Sequence, residues 1–105
     1  MVRGHTLVFD EVMAKQLKRA AKNQHIRSIL SKMFDKLEIV GPLAGELLDS
    51  KLFIYELKNK HPPIRLYFKH NVQTNEIYVF EFEMKTSQEK QSRTIAKLKW
   101  KLSKT

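Results

Sequence analysis

The segment IYELKNKHPPIRLYF, residues 54–68, holds two alternating runs joined by a basic, proline-containing turn. Lys58 closes the first run and Arg65 opens the second, so a hairpin brings an ammonium and a guanidinium onto neighbouring strands. Both groups suit phosphate chemistry. A guanidinium donates two parallel hydrogen bonds to a phosphate. A lysine that is partly buried or crowded by positive charge has a lowered pKa and supplies neutral amine as a base. The same residues also fit a solvated sheet face laced with cross-strand ion pairs, and the pattern alone leaves both readings open.

Other chemistries find less support. There are no cysteines, which excludes disulfides, zinc–thiolate sites and thiol nucleophiles. The four histidines, at positions 5, 25, 61 and 70, form no HxH or HExxH spacing and read as surface or turn residues. Only His61 and His70 are expected near the hairpin. No metal, cofactor or small-molecule ligand is therefore expected.

The elements that must position Lys58 and Arg65 follow from periodicity. HTLVF, residues 5–9, reads as a strand, and Asp10 as the cap of a helix with Met13, Leu17 and Ala20/Ala21 on its apolar side. After a break at Asn23–Gln24, Ile26, Ile29/Leu30, Met33/Phe34 and Leu37 mark a second helix, which pairs with the first. GPLAGELLDS, residues 41–50, reads as a connector. Strands are expected at 51–58, 64–70 and 76–84. A last helix, residues 86–102, carries Ile95, Leu98 and Leu102 on its apolar stripe. Arg93, Lys97, Lys101 and Lys104 fall on the side expected to face away. The order is β-α-α-β-β-β-α, an α+β fold with a mostly antiparallel sheet and a helical hairpin on one face.

Splitting the strands by alternation puts Phe53, Tyr55, Leu57, Ile64, Leu66, Phe68, Tyr78, Phe80, Phe82 and Met84 on the face that meets the helices. The other face is mixed, with Glu56, Lys58, Arg65, Tyr67, Lys69, Glu81, Glu83 and Lys85 expected to be open. Trp100 lies off the apolar stripe and is expected to cover the edge of the core.

A chain of 105 residues with 42% hydrophobic side chains suits one domain, residues 1–105. No apolar run is long enough to span a bilayer, and the N-terminus lacks the pattern of a signal peptide, so a cytoplasmic location without membrane contact is expected. The net charge of +9 is lopsided: +2 over residues 1–50 and +7 over residues 51–105. That asymmetry favours an anionic partner, nucleic acid first and an acidic protein next.

Several stretches resemble the RelE/ParE toxin superfamily, closest to its RelE and HigB-like branches and their phage-derived relatives. KLFIYELK is similar to the family strand ending in "LYELR", with Lys58 at the usual arginine. PPIRLYF is similar to the "YRVLYF" strand and aligns Arg65 with the family's catalytic arginine. EIYVFEFEMKTSQEK resembles the strand running into "F-x-K-K-T", with Phe82, Lys85 and Thr86 matching. Met84 stands where the first lysine of that segment is usual, Glu83 adds negative charge beside it, and the last helix lacks the tyrosine of some ribosome-dependent members.

The resemblance implies the toxin of a type II toxin–antitoxin pair, a metal-free endoribonuclease (mRNA interferase) cutting mRNA on the ribosome by 2′-hydroxyl attack on the adjacent phosphorus. Arg65 would stabilise the phosphorane, Lys58 or Lys85 would act as base, and Tyr67 would position or stack on a base. The acid is open among Lys60, Glu81 and His61. Lys60, Lys69, Arg93, Lys97 and Lys101 would bind mRNA or ribosomal RNA backbone. An acidic, partly disordered antitoxin segment is the implied protein partner. Two alternatives stand: a ParE-type DNA gyrase inhibitor, and an inactive basic domain that only binds an antitoxin.

Overall fold

The computed structural model describes residues 4–84 and 87–104. Nine elements follow in order: β1 (Thr6–Phe9), α1 (Glu11–Ala20), α2 (Gln24–Val40), a 3-10 turn (Gly41–Ala44), β2 (Glu46–Asp49), β3 (Ile54–Asn59), β4 (Ile64–Asn71), β5 (Glu76–Met84) and α3 (Gln88–Ser103). Each long helix begins at a side-chain cap. Asp10 accepts from the Val12 N–H at 2.9 Å, Asn23 from Ile26 at 3.2 Å and Ser87 from Lys90 at 3.1 Å. Gly41 ends α2 at φ +78, a conformation glycine takes without strain, and a Cβ there would run into the His5 ring.

The sheet order is β1-β5-β4-β3-β2, with β1 parallel to β5 and all other pairs antiparallel. The α+β class, the element order and the helical hairpin on one face are as expected. One strand is new. The connector 41–50 contains β2, which pairs with β3, and the segment expected to begin β3 is instead a turn. Asp49 makes that turn: its Oδ1 accepts from Lys51 and Leu52 at 2.9 and 2.8 Å.

Both sheet faces are covered. On one, Leu57, Leu66, Phe68, Ile77 and Val79 pack with Met13 of α1 and with Leu30, Met33 and Leu37 of α2. On the other, Ile54, Tyr67 and Phe80 pack under Leu98 of α3, with Ile95 and Leu102 beside it. The mixed face is thus partly roofed by α3 rather than open.

The alternation in β5 is also corrected. Leu66 pairs with Phe82 and Tyr67 with Glu81, but Phe68 pairs with Val79, leaving Phe80 as an extra residue. That bulge inverts the period-two pattern upstream of it. Ile77 and Val79 therefore enter the α1–α2 core, while Phe80 joins the α3 side. Trp100 does not cover the core edge; it is 62% exposed, with the Lys104 ammonium 4.1 Å from its ring centre.

Candidate functional site

Lys58 and Arg65 are direct cross-strand partners at one end of the β3–β4 hairpin. The sequence-predicted pair is brought together, but onto a carboxylate. Glu56, two residues before Lys58 and so on the same face, is buried. Its Oε1 lies 3.4 Å from the Lys58 Nζ and its Oε2 3.1 Å from the Arg65 Nη1. The Gln91 amide of α3 donates to Oε2 at 2.6 Å. Arg65 reaches Glu56 through Nη1 alone. Its remaining nitrogens make no hydrogen bond to the described residues.

Beside this cluster lie two buried polar side chains, Glu83 and Tyr67. Glu83 is the cross-strand partner of Arg65, is buried, and has neither carboxylate oxygen hydrogen-bonded among the described residues. The Tyr67 hydroxyl, on a residue 0% exposed, lies beside that carboxylate without a well-aligned hydrogen bond to it. Burial, followed by the nearby Glu83 charge, pushes the Tyr67 phenol well above its ordinary value. Stacking of Tyr67 on a base is therefore corrected: with α3 docked above it, the ring has no free face.

The other expected residues are dispersed. Lys85 lies outside the described residues. Lys60 and His61 are exposed in the β3–β4 turn, where the Asn59 amide donates to the Pro62 carbonyl at 2.9 Å. Lys69 sits further along β4, between Ile54 and Tyr78. His70 packs on His5, ring centres 5.5 Å apart, and not near Arg65. Arg93 is exposed.

Lys97 and Lys101 turn back toward the sheet, contrary to the expected outward stripe. Lys97 pairs with Glu81 at 2.9 Å and Lys101 with Asp10 at 3.0 Å, because those carboxylates are buried and need a cation. Glu81, a candidate acid, is committed to that pair. The Tyr78 hydroxyl donates to Asp10 at 2.7 Å, and burial, followed by this bond, pushes its own pKa up to about 12.

Around Arg65, then, three buried carboxylates (Glu56, Glu81, Glu83) balance three described cations (Lys58, Arg65, Lys97). Three clefts formed by the described residues lie elsewhere, and none is lined by Lys58 or Arg65. The two expected cations are not free: Lys58 and Arg65 both pair with Glu56. What the arrangement offers is a guanidinium fixed through one nitrogen, whose other donors no described residue takes up and which suit an oxyanion. Glu56 was legible as a same-face neighbour of Lys58. The Gln91 contact was not, since it depends on how α3 is rotated. Among the described residues, no three His, Asp or Glu side chains converge as a metal requires.

No protein-family model and no curated protein sequence matches the chain. Solved structures do. A doubly mutated E. coli toxin RelE in the free state superposes with a TM-score of 0.69 at 17% identity, over 90% of this chain and 97% of that one. The isolated E. coli RelE toxin gives 0.64 at 20% identity, over 90% and 98%. The toxin–antitoxin complex RelBE2 of Mycobacterium tuberculosis gives 0.65 at 13% identity, over 78% and 99%. With β1, the α1–α2 hairpin, the antiparallel strands and α3 in this arrangement, the chain has the fold of the RelE toxins.

Proposed function

We propose that the chain is the toxin of a type II toxin–antitoxin pair and that it acts on mRNA through the Arg65 end of the sheet. The fold shared with RelE toxins supports the first part, and the RelBE2 complex among its structural relatives supports an antitoxin partner. The observation that carries the second part is the Arg65 guanidinium: held by Glu56 through Nη1 alone, it keeps donors for a phosphate. In this reading Arg65 stabilises the phosphorane formed when the RNA 2′-hydroxyl attacks, and Lys58 or Lys85 takes the proton. The P–O5′ bond then breaks to leave a 2′,3′-cyclic phosphate, as the 5′-oxygen takes a proton from Lys60, His61 or water. Lys60 and Arg93, both exposed, meet RNA backbone. Tyr67 acts from beneath, as a positioning residue. A ribosomal target would place the protein in the cytoplasm.

One observation favours a second reading. Lys58 and Arg65 share a buried carboxylate, which leaves little net positive charge for a substrate. That suits a non-cleaving toxin, such as a gyrase inhibitor of ParE type, or a domain that only binds its antitoxin. Induction in cells with mapping of mRNA 5′ ends separates these. The nuclease reading expects codon-phased new ends and growth arrest with the natural chain, both lost in Arg65→Ala while the purified variant stays folded. Growth arrest with intact transcripts and damaged DNA would favour gyrase. Full arrest by Arg65→Ala would remove Arg65 from the mechanism.

A further inference from the structure

At the opposite end of the sheet from Arg65, the last turn of α3 stands over the ends of β4 and β5 and leaves a cleft of about 730 Å3. That volume falls in the range of pockets that take nucleotide-sized ligands. Its lining is mainly apolar and aromatic, with Phe53, Tyr78, Phe80 and Leu102 prominent. Lys69 is part of the same lining, half-buried between Ile54 and Tyr78, and no described residue gives its ammonium a hydrogen bond or ion pair.

Two carboxylates also line the cleft, and neither forms an ion pair with Lys69. Asp10 is committed to Lys101 and the Tyr78 hydroxyl, while Glu76, which accepts from the Thr74 hydroxyl at 3.0 Å, keeps its charge at the rim. Two of the aromatic rings are open to solvent: Phe53 is 51% and Tyr78 36% exposed. Phe53 moreover has φ +56, the left-handed region that bulky residues avoid. A strained backbone here presents a ring without burying it.

We propose that this cleft binds one nucleotide of single-stranded RNA, its phosphate on Lys69 and its base against the Phe53 and Tyr78 rings. An unpaired cation set among exposed aromatic rings is what sequence-tolerant single-strand binding requires. The same end of α3 continues the pattern, with exposed Trp100 beneath the Lys104 ammonium. This interleaving favours RNA over an acidic peptide, for which exposed rings beside one lysine are a weaker fit. The site is separate from Arg65 and does not depend on cleavage.

The test uses the purified full chain and a fluorescein-labelled hexauridylate, read by anisotropy at about 50 mM salt, where phosphate contacts are strong. Lys69→Met and Phe53→Leu are each expected to weaken binding about tenfold, the scale of one stacked or charge-paired nucleotide. Lys36→Met, which removes the same charge from the exposed face of α2, should change it less than about twofold. Thermal melting shows whether each variant is folded. In the unsubstituted protein, the ring protons of Phe53 and Tyr78 should shift in NMR spectra on adding the RNA. The proposal is overturned if hexauridylate does not bind, if Lys69→Met behaves like Lys36→Met, or if those ring signals stay still. It is equally overturned if an alternating Glu/Phe hexapeptide displaces the RNA at lower concentration than unlabelled RNA does. None of these readouts involves ribosomes or Arg65, so failure here leaves the cleavage reading to its own test.

Discussion

Asp10 caps α1, accepts the Tyr78 hydroxyl and anchors Lys101 of α3, all from one buried carboxylate. Burial alone would raise its pKa. The Tyr78 hydroxyl, the Val12 N–H and Lys101 together outweigh that and hold it below the ordinary 3.8. A carboxyl depressed on folding adds stability that is complete above its unfolded value and disappears as pH falls through the lower folded value. Asp10→Asn keeps the cap but loses the ion pair. It should therefore cost about 1–2 kcal/mol at pH 7 and less near pH 2, measured by urea denaturation at both. An equal gap at the two pH values would show that charge on Asp10 is not what matters. Glu83 is a contrasting case: buried, opposite Arg65 and beside the Tyr67 hydroxyl, it was visible in the sequence as a negative charge on a mixed face but not as a buried one.

At the scale of elements, α3 stands apart. It rests on a floor that is part apolar and part ionic, with Leu98 fully buried and the tethers Gln91–Glu56, Lys97–Glu81, Lys99–Asp49 and Lys101–Asp10 along its length. The lysines are about half exposed, so each pair contributes at most about 1 kcal/mol. Leu98 is the main apolar anchor. Leu98→Ala should cost about 2–4 kcal/mol and raise hydrogen exchange throughout α3 while β4 and β5 amides keep most of their protection. Uniform loss of protection in α3 and the sheet would mean that the helix does not open by itself. The helices, β1 and the β3–β4–β5 order were legible because their apolar spacing is regular, and the Lys58–Arg65 adjacency followed from hairpin geometry alone. What periodicity could not give was the Phe80 bulge, since one extra residue leaves no mark in a run where both faces are apolar. Nor could it give the docking of α3: Lys97 and Lys101 look like a solvated stripe until Glu81 and Asp10 are found buried beneath them.

For the whole molecule, charge is the dominant long-range property. A net +9 sits on a body measuring 38 × 35 × 23 Å, only a few times the ~8–10 Å screening length of physiological salt. Most of the excess belongs to residues 51–105, which supply β3, β4, β5 and α3. Encounter with the proposed acidic antitoxin segment should thus be steered, with the association rate falling about tenfold between 50 and 300 mM salt and dissociation changing much less. Stopped-flow mixing with a fluorescent acidic peptide measures both. The asymmetry adds a sharper expectation. Reversing Lys90 of α3 and Lys104 at its C-terminal cap to Glu should slow association more than reversing Lys18 and Lys22 near the end of α1, although each pair changes the net charge equally. Equal slowing would mean that only total charge counts. An unaffected rate would mean that steering plays no part, and that contact chemistry at the surface must choose the partner.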